Sequence, residues 1–149
     1  MKKVFLSTLM LITTFCLSAQ KGKNSLQLNG GYGSKIETIG GGVQFNLSMS
    51  KKMEFAPSIN QFAKKDGISV KEVNLDLHYL IPIGEKVKVY PLFGFSLAEW
   101  NETSAGVNYG VGARYLLTDK FDLGLQYKKN AVSNGQSQHV SFLTIGYKL

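Results

Sequence analysis

Val140-Ser141-Phe142-Leu143-Thr144-Ile145-Gly146-Tyr147-Lys148-Leu149 closes the chain, and in it Leu143, Ile145, Tyr147 and Leu149 share one face of an extended backbone. Successive side chains of a strand point to opposite sides, so a period of two marks a strand whose faces meet different surroundings. About ten residues is also the length that carries a tilted strand across a hydrocarbon layer. Upstream the same alternation recurs, giving about eight copies between Lys23 and Leu149.

The alternation predicts strands over 25–33, 36–49, 53–62, 69–81, 87–100, 105–116, 121–129 and 137–149. Their large apolar sets are Leu26, Leu28 and Tyr32; Ile39, Val43, Phe45, Leu47 and Met49; Met53, Phe55 and Ile59; Val73, Leu75, Leu77, Tyr79 and Ile81. The second half continues with Val87, Val89, Phe93, Phe95 and Leu97; Val107, Tyr109, Val111, Ala113 and Tyr115; then Phe121, Leu123, Leu125 and Tyr127. Tight turns are expected at 50–52, 82–86 and 117–120 on the side of the termini, and short polar segments at 63–68, 101–104 and 130–136 on the other. Gly30-Gly31-Tyr32-Gly33, at a strand end, reads as a turn. Pro57 and Pro91 fall inside strands, where each removes a ladder donor, and predict local bulges.

The N-terminus carries a different signal. Met1-Lys2-Lys3 is basic, Val4 to Leu17 is mostly apolar, and Ser18-Ala19 offers small residues for cleavage before Gln20, the layout of a secretory signal peptide. An anchoring helix fits less well, because Ser7, Thr8, Thr13 and Thr14 break an apolar run already shorter than the ~18–20 residues needed to span. A lipoprotein site at Cys16 is disfavoured by bulky Phe15 before it. The expected organisation is a signal peptide over 1–19 and one domain over 20–149. Cleavage would remove the single cysteine, leaving no disulfide. It would also remove two of the 17 basic residues, leaving 15 against 10 acidic, a balance of +5. The lysines are scattered and line no single face, so nucleic acid is not an expected partner.

Alternation does not by itself say which face points inward. A soluble lipid-binding barrel hides its apolar face around a ligand, whereas a membrane barrel shows it to lipid. Glycine separates the two. Gly40, Gly42, Gly94, Gly110, Gly112, Gly124 and Gly146 all lie in the polar phase, where they would weaken a water-facing strand but make room in a narrow interior. Aromatic placement agrees: Phe55, Tyr79, Tyr115, Phe121 and Tyr147 fall near strand ends on the terminal side, and Tyr32, Tyr109 and Tyr127 nearer the other rim, as interfacial girdles do. The expected fold is therefore all-β, an eight-stranded antiparallel up-and-down transmembrane β-barrel, with both termini on the periplasmic side because the strand number is even.

These features resemble a known family, the small outer-membrane barrels of the OmpA transmembrane-domain and OmpX type. The resemblance covers about residues 25–149 and rests on the leader, the eight alternating segments, glycine-rich phases such as Gly40-Gly41-Gly42-Val43-Gln44-Phe45, and the closing Ile145-Gly146-Tyr147-Lys148-Leu149. It implies an integral protein of the Gram-negative cell outer membrane, a porin-like monomer bedded in outer-membrane lipid and lipopolysaccharide. It also implies that the barrel-insertion machinery reads the C-terminal strand, although the family more often ends in Phe than in Leu. The family includes structural, adhesive, defensive and enzymatic members, so the resemblance does not name a role.

The inward phase brings Glu54, His78, Lys88, Arg114, Asp122 and Lys148 to the lower third and Glu72, Asp76, Asn108, Gln126 and Lys128 higher up. Eight strands enclose a space that side chains can fill, and buried charges must be paired to be tolerated. The expectation is an ion-paired interior plug. Its alternative is a narrow pore for ions or small solutes, gated if Arg114 and Lys88 exchange carboxylate partners. His139 and Ser141, two residues apart on one face near the outer rim, are similar to the His-x-Ser pair of lipid A deacylases, but Phe142 replaces the Asn of that pattern and no acidic residue follows. An esterase is thus a remote reading and no catalytic residue is assigned. With His78 and His139 the only histidines, no metal site or cofactor is expected. Short loops weaken a dedicated adhesin.

Overall fold

Alternating segments become strands throughout the described residues, 23–135 and 137–149 of this computed structural model; the predicted leader lies outside them. Among those residues the elements are β1 (Ser25–Gly33), β2 (Thr38–Ser48), β3 (Met53–Phe62), β4 (Lys71–Tyr79), β5 (Ile81–Ile83), β6 (Val87–Glu99), β7 (Thr103–Leu116), β8 (Phe121–Val132) and β9 (Gln138–Lys148), with a short 3-10 turn at Ser133–Gly135. Apart from β4 and β5, which both pair with β6 and not with each other, each strand pairs antiparallel with its chain neighbours, and the sheet closes where β1 meets β9, from Ser25 opposite Lys148 to Gly33 opposite Val140. Closure removes every long edge, the one way a sheet can satisfy its backbone inside lipid.

β4 and β5 form one crossing. Both pair with β6 in a single register, His78 opposite Leu92 and then Ile81 opposite Val89, with Leu80 between them. The described residues therefore make eight crossings, an up-and-down barrel.

Pro57 and Pro91 behave differently from the bulge expectation. Register is constant across Pro57 and Pro91, and neither produces a bulge. Instead the ladder drops pairs on one side only. Opposite Pro57 and Ala56, Phe45 and Asn46 of β2 fall out of the pairing, while Pro57 stays paired with Leu75. Opposite Pro91, the break falls at Tyr79 and Leu80, which is what splits β4 from β5. The Leu80 amide donates to Lys52 O at 2.6 Å, so the backbone groups of Tyr79 face β6, where Pro91 has no N–H to return. Pro82 lies within β5, which pairs only with β6.

Other boundaries move for equally local reasons. Gly30 to Gly33 is paired strand on both sides, not a turn; the reversal comes after it, with Glu37 at positive φ. Pro82 and Ile83 are strand, so the turn predicted at 82–86 shrinks to 84–86, with Gly84 at φ 74°. Thr103 and Ser104 belong to β7 and Asn130 to Val132 belong to β8, which shortens both outer connections. The 63–70 connection is itself a small hairpin: Lys65 and Ile68 exchange two 2.9 Å backbone bonds around Asp66-Gly67, both at positive φ, as a two-residue Asp-Gly turn prefers.

Burial alternates along the strands. Leu125, Phe95, Val111 and Ile59 are more than half exposed on the outer face, while Gln27, Gln44, Asn74 and Asp76 are fully enclosed. A soluble ligand-binding barrel would show the reverse. An apolar band this extensive on a closed barrel is a lipid-facing surface.

Candidate functional site

The inner face is built in levels. At the terminal end lies an open vestibule of about 200 Å³, lined among others by Lys23, Lys86, Lys88, Asp122 and Lys148. Its inner boundary is a charged cluster. Arg114 donates from one terminal nitrogen to Glu54 at 2.8 Å and from the other to His78 Nδ1 at 3.0 Å. Nδ1 also lies 3.8 Å from Glu54, but one ring nitrogen cannot accept from a guanidinium and donate to a carboxylate together. The shorter contact makes it the acceptor. Tyr90 completes the cluster, with Arg114 4.6 Å above its ring, His78 stacked on it at 4.5 Å and its hydroxyl donating to Gln126 at 3.3 Å.

Amides and hydroxyls fill the middle. Gln44 donates to Gln27 and Asn46, Asn46 to Ser25, and Gln27 to Asp122. Higher up, Lys128 reaches Asp76 at 3.2 Å with both side chains fully enclosed, and Asn108 donates to Asp76 at 2.8 Å and to Asn74 at 2.9 Å. Glu72 accepts from Gln138 at 2.6 Å. A buried charge truncated of its partner costs several kcal/mol, so such pairs act as a unit.

The outer end is apolar. Phe62, Val70, Val140 and Phe142 are buried together, with Ile36, Ile68 and Trp100 packed on them from the loops. The Phe62 and Phe142 rings stand 6.3 Å apart. Glycine makes the room: a Cβ at Gly40 would strike the Phe62 ring, and one at Gly31 the Phe142 ring. Gly112 does the same beneath Tyr90.

Of the interior residues named from sequence, the structure brings Glu54, His78 and Arg114 into one cluster and Asp76 and Lys128 into a second ion pair. Asp122 and Gln126 join the amide network, and Glu72 meets Gln138. Lys88 and Lys148 stand apart, lining the vestibule without an ion pair among the described residues. Lys88 shares no carboxylate with Arg114, so the proposed exchange of partners has no contact to start from. The apolar cap and Tyr90 were missed. Their signal was parity: Phe142 and Phe62 lie out of phase with the lipid-facing sets of their own strands.

On the outer surface Tyr32, Tyr79, Tyr109, Tyr115, Phe121, Tyr127 and Tyr147 are exposed and Phe55 half-buried. Phe121 and Tyr147 pack at 5.1 Å near the lower rim. Tyr109 stands at mid-strand and not near a rim, because β7 begins two residues earlier than its pattern suggests. His139 and Ser141 both face outward, but the His139 Nδ1 is engaged by the Tyr127 hydroxyl at 2.6 Å. Among the described residues no three His, Cys, Asp or Glu side chains are grouped to hold a metal.

Comparison with known proteins adds the family context. A family model described as "Outer membrane protein beta-barrel domain" matches residues 7–148. The chain is similar in structure to the N-terminal barrel domain of Pseudomonas aeruginosa OprF, with TM-score 0.74, 14% identity, and coverage of 87% of this chain and 98% of that one. It is similar to a de novo designed transmembrane barrel, with TM-score 0.71, 15% identity and coverage of 87% and 98%. It is similar also to Ail, the attachment invasion locus protein of Yersinia pestis, with TM-score 0.63, 14% identity and coverage of 87% and 100%. No curated protein sequence matched.

Proposed function

Because the chain belongs to the outer membrane protein beta-barrel domain family and is an integral outer-membrane protein, we propose that it is a non-enzymatic barrel with a structural or surface-interaction role in the cell envelope, its interior plugged by side chains. The observation that carries this reading is the outer closure, where Phe62, Val70, Val140 and Phe142 meet across the lumen above the enclosed Lys128–Asp76 pair. Lipopolysaccharide surrounds its upper rim, the insertion machinery engages β9, and the barrel acts as a monomer. Single-channel recording in planar bilayers tests the plug: a silent membrane is expected, and reproducible stepwise conductance would overturn it.

A second reading, a narrow pore, is favoured by one feature, the vestibule that penetrates from the periplasmic end to Arg114. Lipid A esterase chemistry is less supported, since among the described residues His139 and Ser141 have no carboxylate partner and Tyr127 holds the imidazole. Unchanged lipid A acylation on overexpression would exclude it.

A further inference from the structure

The vestibule has a charge pattern that a structural plug does not need. Lys88 and Arg114 are directly opposed across β6 and β7 on the inner face, and like charges so placed destabilise a ladder. Arg114 is relieved by Glu54. Among the described residues neither Lys88 nor Lys148, which enters the same space from β9, has an ion pair. With the Arg114–Glu54 pair set aside, the described residues of the lining hold Lys23, Lys51, Lys86, Lys88 and Lys148 against Glu85 and Asp122, an excess of three positive charges. Low-dielectric walls around charge of one sign focus its field into the cleft and concentrate counter-ions there. The ladder could have been relieved by one acidic residue beside Lys88, as Glu54 relieves Arg114.

We propose that this periplasm-facing vestibule is an anion site that takes a phosphate group, held between Lys88 and Lys148. A compact multivalent oxyanion answers the excess charge, and lysine serves phosphate as a point charge with three donors. The cavity, about 200 Å³, accommodates such a group with water, and the Arg114 cluster closes it from above. The site lies at the mouth, below the Arg114 cluster, so phosphate binding there requires neither a plugged nor a conducting barrel.

The test uses the full mature chain refolded in zwitterionic nanodiscs, titrated with inorganic phosphate and followed by phosphorus NMR line broadening, with chloride at matched ionic strength as reference. Saturable phosphate binding that chloride does not reproduce is expected. Lys88→Gln and Lys148→Gln should each weaken it about tenfold, the loss of one charge-assisted hydrogen bond, and Lys64→Gln on the opposite outer loop should leave it unchanged. Heat-modified gel mobility confirms folding of each variant, and Lys88→Glu, which adds a carboxylate facing Arg114, should fold and abolish binding. Competition by glycerol 3-phosphate assigns the site to phosphate monoesters, and failure to compete assigns it to free phosphate; either supports the proposal. Equal responses to phosphate and chloride, or equal affinity in Lys88→Gln, Lys148→Gln and Lys64→Gln, would overturn it.

Discussion

The two ends of the lumen are made from the same inward phase of the same strands, yet one is greasy and closed and the other charged and open. Along β9 the inward row runs Gln138, Val140, Phe142, Thr144, Gly146, Lys148: an apolar pair below one rim amide at the outer end, small in the middle, cationic at the end that carries the termini. β6 runs the other way in sequence and repeats the gradient in part, from Lys88 at the mouth through Tyr90 to Ser96 and Ala98. Parity decides which face a residue takes; height decides what environment that face meets. A barrel interior is thus two environments joined by an amide layer, and each can be broken separately.

The largest effect is expected at the lower boundary. Glu54→Ala strands Arg114, which is only 7% exposed, and should destabilise the barrel by about 3–5 kcal/mol in urea unfolding from lipid bilayers. Replacing both partners, Glu54→Ala with Arg114→Met, should cost less than the single change because no buried charge is left alone. A single-variant loss of only a few tenths would mean that vestibule water reaches the guanidinium, moving the dry boundary higher. At the outer end Phe142→Ala should cost about 3 kcal/mol through the cavity it leaves against Phe62. That variant should remain non-conducting, since the Lys128–Asp76 layer lies beneath it; channels opened by Phe142→Ala would make the cap alone the seal.

How much of this was legible beforehand follows from the same two coordinates. Strand existence, number and facing could be read because period two is local: β1 and β3 match their predicted bounds residue for residue. The prolines could not be judged, because whether a missing N–H harms the ladder depends on which neighbour it faces, and that parity is set only when strands pair. The interior charges were nameable as a set, but their partners were not. Glu54 and Arg114 lie 60 residues apart, and barrel stagger, not sequence, selects that contact over Lys88 with any acid. The apolar cap escaped because Phe62 and Phe142 were hidden among polar inward neighbours, where their rings fit only over Gly40 and Gly31.

Smaller effects sharpen the contrast between the packed middle and the open mouth. A Cβ at Gly42 would meet the backbone carbonyl of Ile59, which cannot step aside, so Gly42→Ala should cost about 1–3 kcal/mol. One at Gly146 would meet the Asp122 carboxylate, which lines the vestibule and can swing into it, so Gly146→Ala should stay below about 1 kcal/mol. Equal losses would mean that the mouth is as tightly packed as the middle.

The smallest effect concerns an ion pair that matches Arg114–Glu54 in length. Lys65 meets Glu37 at 2.8 Å on the outer loops, the same separation as the buried pair, but with both side chains well exposed. The hydrogen bond from Lys65 holds the Glu37 carboxyl below its ordinary pKa, and the same bond raises the ammonium of Lys65. A lowered carboxylate pKa contributes stability that is present above the ordinary Glu range and is lost as pH falls through the lowered value. Glu37→Gln should therefore flatten only the acid-side slope of stability against pH, at low salt, and salt should erase the difference because solvent screens exposed charges. Two bonds of one length would then differ in effect through burial alone; if Glu37→Gln instead weakened the barrel as much as Glu54→Ala, distance and not burial would be the governing variable.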